Sequence, residues 1–151
     1  MRCTEANVRI LLVDDHDESR DLTEAALNSA GFTDVATAAS AWGALNILDI
    51  WRADRRPTVD LILLDIIMPK MNGIETCARI RKDERYVKLP IIMLTSLDDV
   101  ESLSDAFIAG ATDYITKPFT LMELVAHIQT AEAAAAGRWE RNPRASKSGQ
   151  R

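Results

Sequence analysis

The sequence predicts an α/β fold, a five-stranded parallel sheet doubly wound with helices on both faces. Three observations carry this. Short apolar runs alternate with helix-spaced segments five times. Three of the runs, Val8–Val13, Val59–Asp65 and Leu89–Leu94, are almost continuously apolar, as strands covered on both faces must be. Four of the five end in polar residues able to do chemistry, and open parallel sheets keep their sites at strand carboxyl ends.

Taken in order, V-R-I-L-L-V at 8–13 is a strand that ends in Asp14-Asp15. A helix follows over Glu18–Ala30, with Leu22, Ala26 and Leu27 directed to the core and Gly31 stopping it. Val35 centres a short second strand, and Ser40 caps a helix running to about Arg52. On that helix Trp42 and Trp51, nine positions apart, are read as core. Leu61–Asp65 is the central strand, and Pro69 with Asn72-Gly73 forces a loop after it. Ile74, Cys77 and Ile80 mark the third helix, and Arg79, Arg81 and Lys82 near its end suit its dipole. The fourth strand ends in Thr95-Ser96. Asp98 with Glu101 reads as a capping box for a helix carrying Val100, Leu103 and Phe107 on one face. Asp113–Thr116 is the fifth strand, leading into Lys117-Pro118-Phe119. Thr120 with Glu123 is a second capping box, and the last helix fades through 131–136. The expected domain is therefore 8–136, with 137–151 a basic, disordered tail or linker.

Composition bounds the function. A chain of 151 residues, 47% hydrophobic and 27% charged, is one globular domain. Net charge is −5, but Arg138–Arg151 holds five basic residues and one acid, so the rest carries −9. An acidic body argues against direct nucleic-acid binding by this domain and suits a divalent cation. Cys3 and Cys77 do not form a disulfide framework, and Cys77 reads as a core thiol. No apolar run approaches the ~20 residues of a membrane span, and no signal-peptide pattern precedes the first strand. A cytoplasmic location, away from membranes, is expected.

Parallel strands bring Asp14, Asp15, Asp65, Thr95 and Lys117 to one sheet edge. Crowded carboxylates raise one another's pKa unless a cation joins them. Hard, partly open oxygen ligands suit Mg²⁺, which also accepts phosphate oxygens. A carboxylate can attack phosphorus to give an aspartyl phosphate, and phosphoryl transfer then needs mainly positioning and charge neutralisation. His16 adjoins the acids, but Mg²⁺ does not favour imidazole, so it reads as a solvated loop residue. His127 reads as a surface or packing residue.

The chain resembles the receiver domains of two-component response regulators. The matching features are V-D-D at 13–15, L-D-I-I-M-P at 64–69 with Asn72-Gly73, L-T-S at 94–96, A-G-A-T-D-Y at 109–114 and K-P-F at 117–119. The resemblance implies a (βα)5 flavodoxin-like sandwich with strand order 2-1-3-4-5. It implies that Asp65 is the phosphoacceptor and that Asp14, Asp15 and Asp65, with the backbone carbonyl of Ile67, hold Mg²⁺. Thr95 and Tyr114 correspond to the switch residues, Lys117 to the lysine that pairs with the phosphoryl group, and Lys117-Pro118 to a cis peptide. The implied partners are a histidine kinase or histidine phosphotransfer protein, an output domain or target, and a second copy through the face of the fourth helix, fifth strand and fifth helix (α4-β5-α5). Ser96 stands where alanine or glycine is commoner, and the apolar Ile67 and Leu97 flank the site. The resemblance implies catalysis of its own phosphorylation and dephosphorylation only. A phosphatase acting on external substrates fits poorly, because such enzymes place two acids as D-x-D after the first strand. A phosphorylation-independent scaffold also fits poorly, because every acid and the lysine are present.

Overall fold

The computed structural model describes residues 8–52, 54, 56–96 and 100–148, with side chains described except for Val100 and 136–148. Five strands, β1 (Ile10–Val13), β2 (Val35–Ala38), β3 (Leu61–Asp65), β4 (Ile91–Thr95) and β5 (Asp113–Thr116), alternate with five helices. The helices are α1 (Asp17–Ser29), α2 (Ala41–Ile47), α3 (Gly73–Arg81), α4 (Val100–Ala109) and α5 (Leu121–Ser148). All strand pairs are parallel and the order is β2-β1-β3-β4-β5, as the resemblance implies. Val8, Val59 and Leu89 are buried but lie outside the ladder.

Side chains alternate between faces along a strand, and the core splits accordingly. Leu11, Val13, Ile62, Leu64, Ile91 and Met93 face α2, α3 and α4, where Leu45, Cys77, Ile80 and Ala106 meet them. Ile10, Leu12, Leu61, Leu63, Ile92 and Leu94 face α1 and α5, meeting Leu27, Leu124 and Ile128. Cys77 is thus a buried core thiol. Register places Asp65 opposite Leu94 and Thr95 opposite Thr116, so the polar strand ends share one edge.

Helix ends are set by local chemistry. Ser40 Oγ accepts the Gly43 N–H (3.1 Å), capping α2. Thr120 and Glu123 form the expected box on α5, at 2.8 and 3.0 Å. Asn72 and Glu75 form another on α3, at 2.9 and 3.1 Å, where only a loop signal was read in the sequence. The expected box at Asp98 and Glu101 falls on residue 98, outside the described residues.

The structure corrects several sequence expectations. Leu22 is 67% exposed, because Thr23 and Leu27, one helical turn apart, take the sheet-facing positions of α1. Helix α2 stops at Ile47 rather than near Arg52. Asp49 adopts a left-handed φ of 55°, and the Ile50 and Asp49 N–H groups donate back to Leu45 and Asn46, a Schellman ending with aspartate in glycine's usual place. The turn swings Trp51 back onto Trp42, with ring centroids 6.0 Å apart and planes within 18°. Both indoles stay exposed (45% and 55%), because Ala41, Ala44, Leu45 and Leu48 fill the core side. On α4 it is Ala106 that is buried, while Phe107 is 44% exposed. Helix α5 continues through Ser148 where a disordered tail was expected. The alanine run 133–136 explains the continuation, alanine being the best helix former.

Tyr86 ties the far edge together. Its fully buried hydroxyl donates to the Leu48 carbonyl (3.0 Å) and accepts the Thr58 N–H (3.1 Å). Tyr86→Phe strands the Thr58 N–H and leaves the Leu48 carbonyl with the longer 3.4 Å bond from Arg85 Nη2, so urea denaturation is expected to show a loss of about 1–3 kcal/mol, without change at the opposite sheet edge.

Candidate functional site

The carboxyl ends of β1, β3 and β5 bring Asp14, Asp65 and Lys117 together. Lys117 Nζ lies 3.2 Å from Asp14 Oδ2 and 3.5 Å from Asp65 Oδ2. Both carboxylates are buried. The peptide bond between Lys117 and Pro118 is cis, as anticipated. The Lys117 N–H donates to the Thr95 carbonyl at 2.7 Å, fixing the lysine's backbone to the end of β4.

Asp14 is held from three sides. Its Oδ1 accepts the His16 N–H (2.9 Å), and its Oδ2 accepts the Ser19 hydroxyl (2.7 Å) and Lys117. Burial works against its charge, but these donors outweigh burial and hold the carboxyl below its ordinary range. Among the described residues Asp65 has Lys117 alone as a side-chain donor. Burial first, and the Asp14 charge second, push it up to about 6, against the opposing pull of Lys117. One carboxylate is thus committed to ionisation and its neighbour is poised.

Gly73 permits the close approach that shapes this edge. Its N–H donates to the Ile66 carbonyl at 2.7 Å. A Cβ there would stand 2.2 Å from the Asp65 carbonyl oxygen. Only glycine lets α3 begin against the strand end that carries Asp65.

Asp14, Asp15, Asp65 and His16 can each offer a ligand atom, all within 4.8 Å of one another. Asp15 Oδ1 is enclosed and accepts no hydrogen bond from the described residues, an arrangement that is costly unless a cation completes it. Three carboxylates make a hard oxygen donor set, which fits Mg²⁺ rather than a soft metal. The His16 side chain is 71% exposed, with Nδ1 3.4 Å from Asp15 Oδ1; it is a solvated residue, but it does border the cluster. Ile67, two residues beyond Asp65, turns a 51% exposed side chain outward.

The two expected switch residues stand on β4 and β5. Thr95 is fully buried at the end of β4. Tyr114 is half-buried on β5, its ring edge-on to Phe107 at 6.0 Å; it belongs to the α4-β5-α5 face rather than to the acid cluster. Below it His127 Nδ1 sits 2.6 Å from Asp113 Oδ2, a pairing not read from sequence. Ser19 and Arg20 were also missed. Ser19 Oγ is 3.3 Å from Lys117 Nζ as well as bonded to Asp14, and Arg20 Nη1 donates to the Asp14 carbonyl at 2.8 Å. The available signal was their position in the first turn of the helix behind the acid pair, which points back at the strand end.

Beside the cluster a groove of about 610 Å³ runs between α1 and the start of α5. Ser19 and Lys117 form its polar wall, while Leu22, Phe119 and Leu121 supply apolar surface. This gives the exposed Leu22 a place in the site's surroundings.

The raised Asp65 pKa sets a stability test. A carboxyl whose folded pKa exceeds its unfolded value contributes most below about pH 4, and that contribution is lost as pH rises through about 6. Without divalent cation, Asp65→Asn should therefore stabilise the protein at pH 7.5 by about 1–3 kcal/mol. Thermal melts should show the gap closing toward pH 4. Asp14 titrates in the opposite sense, its contribution being lost as pH falls through its lowered pKa, and it is present in both proteins.

Comparison with known proteins agrees with this geometry. The response regulator receiver domain family matches residues 10–129. RpaA of Synechocystis, a DNA-binding dual master transcriptional regulator, is 36% identical over 139 residues, covering 92% of this chain and 53% of RpaA. PhoB of Pseudomonas aeruginosa, the phosphate regulon transcriptional regulatory protein, is 40% identical over 120 residues, 80% of this chain and 49% of PhoB. The chain thus spans about half the length of these relatives. Among solved structures, the chemotaxis protein CheY4 of Vibrio cholerae matches with a TM-score of 0.72 and 31% identity, over 82% of this chain and 98% of CheY4. NtrX of Brucella abortus matches with a TM-score of 0.77 and 28% identity, over 90% of this chain and 29% of NtrX. With its strand order, its acid edge and these relatives in agreement, the chain belongs to the response-regulator receiver domain family.

Proposed function

We propose that this domain is a phosphorylation-operated switch whose phosphoacceptor is Asp65. The observation that carries the reading is the pairing of a poised Asp65 with Lys117, beside an Asp15 oxygen that lacks a hydrogen bond from the described residues. An Asp65 carboxylate oxygen attacks the phosphorus of a phosphohistidine presented by a histidine kinase or histidine phosphotransfer protein. The P–O bond forms as the P–N bond breaks, and the released imidazole takes up a proton. Mg²⁺, held by Asp14, Asp15, Asp65 and the Ile67 carbonyl, would supply charge neutralisation for the transferring oxygens.

The chain's own groups do the rest. Lys117, tethered between Asp14 and Ser19, can move its ammonium onto a new phosphoryl oxygen. The groove beside Leu22, Phe119 and Leu121 offers an incoming donor an apolar seat next to Asp65. Water is partly excluded by burial of Asp14 and Asp65. The domain's own chemistry is thus confined to its phosphorylation and dephosphorylation.

The switch follows from charge. An aspartyl phosphate adds negative charge and strong acceptors at the strand edge. The Thr95 hydroxyl and Lys117 turn toward it, Tyr114 follows, and the α4-β5-α5 face changes. Exposed Phe107, Ile108 and Met122 make that face suited to a second copy or an output partner. The regulators RpaA and PhoB suggest a transcriptional output domain as the recipient. No described helix is long and apolar enough to cross a membrane, and we place the domain in the cytoplasm with its kinase. The basic segment 137–151, which includes the end of α5, then serves as the link to whatever the switch controls.

Intact mass after incubation with acetyl phosphate tests this reading. One phosphoryl adduct is expected, requiring both Mg²⁺ and Asp65 and absent in Asp65→Asn. An unmodified protein, under conditions that modify another receiver, would favour a scaffold.

A further inference from the structure

The stacked pair Trp42 and Trp51 lies on the side of α2 and α3, Trp42 at the start of α2 and Trp51 beyond its end. Arg79 covers Trp42, its guanidinium carbon 5.4 Å from the ring centroid. Next to them, Lys70, Arg79 and Lys82 border a groove of about 470 Å³ floored by Trp42 and Met71. Arg79 and Lys82 also border a second groove, of about 350 Å³, that reaches Ile50. The two grooves share these cations and run on as one surface.

The charge here is opposite to the rest of the domain. Between positions 50 and 90 there are nine basic and six acidic residues, whereas 1–49 has three against nine and 91–136 one against seven. Of the three acids that line the grooves, Glu75 and Asp83 are committed within the fold and Glu84 is exposed. Glu75 caps α3 through Asn72, and Asp83 holds Arg85 at 2.6 Å. Lys70, Arg79 and Lys82 are all exposed. Two large exposed indoles beside three exposed cations, one of them stacked on Trp42, mark an interaction surface rather than a solvated face.

We propose that this Trp42–Trp51–Arg79 face is a docking site for an acidic segment of a partner protein that carries an apolar or aromatic anchor. Carboxylates of the segment meet Lys70, Arg79 and Lys82, and its anchor lies on the indole edges and Met71. A nucleic acid fits less well. The indoles cover each other and Arg79 covers Trp42, so open ring faces for stacking bases are few. The groove shares no lining residue with the acid cluster, and docking there uses none of the Asp65 chemistry.

The test is selection of a displayed random dodecapeptide library on the intact protein, followed by binding of the enriched peptides to wild type and to the Lys70→Glu/Lys82→Glu double variant. Both substitutions are at exposed positions, and a thermal melt checks that the variant folds. The domain's overall negative charge favours basic peptides everywhere else, so enrichment of Asp and Glu with an aromatic or aliphatic residue would report this face. Expected are acid-rich peptides whose binding weakens about tenfold or more in the variant, and whose binding shifts indole fluorescence in wild type but not in the Trp42→Phe/Trp51→Phe double variant. Peptides without acid enrichment, or equal binding to the double variant, would overturn the proposal. So would tighter binding of a single-stranded oligothymidylate at the same face, or concentration-dependent self-association lost in the double variant.

Discussion

Two buried carboxylates and one lysine share the carboxyl edge of the sheet, and much of the structure serves to hold them there. Asp14 and Asp65 would separate in water. The parallel pairing of β1 with β3 keeps them adjacent, and the β5 end delivers Lys117 between them. Like charges in a low-dielectric edge are tolerated only with compensation. Here the compensation is uneven: Asp14 collects a backbone N–H, a hydroxyl and an ammonium, whereas Asp65 shares one ammonium at the longer distance. That imbalance separates a permanently ionised anchor from a group poised for chemistry.

The surrounding scaffold can be understood as support for this edge. Both faces of the sheet are sealed by separate apolar layers, so strand ends cannot shift independently. Gly73 allows α3 to begin against the Asp65 backbone, and Arg20 holds the carbonyl of Asp14 from α1. The far edge is closed by Tyr86. Rigid elements therefore carry the acids, while of the residues proposed to respond Thr95 ends β4 and Tyr114 lies on the α4-β5-α5 face.

Much of this was legible in the sequence because period and spacing encode it directly. Unbroken apolar strands such as Leu61–Leu64 announce burial on both faces, and a polar residue ending each of four strands announces a shared edge. Side-chain direction on the helices was harder. Leu22 and Thr23 are neighbours, and hydropathy favours the leucine, but helix phase puts the threonine against the sheet. Trp42 and Trp51 look like core at nine-residue spacing, yet the left-handed turn at Asp49 breaks the helix between them. An aspartate in that conformation has no strong sequence signal, since glycine is the usual occupant. Ser19 and Arg20 escaped notice because their roles depend on a contact between the first turn of α1 and the sheet edge. The end of α5 was missed for a different reason: alanine signals weak packing and strong helix propensity at once.

The central claim is that burial and the neighbouring Asp14 charge hold Asp65 partly protonated near neutrality until a divalent cation joins the acids. The most direct measurement follows the side-chain carboxyl carbon resonances of ¹³C-labelled aspartate from about pH 3 to about pH 8, with Asp65→Asn to assign the signal. The account predicts one carboxyl titrating at about 6 without divalent cation, and a fall of that midpoint toward the ordinary range when Mg²⁺ is added. If Asp65 instead titrates in the ordinary carboxylate range without cation, or if Mg²⁺ leaves its midpoint unmoved, the account is contradicted.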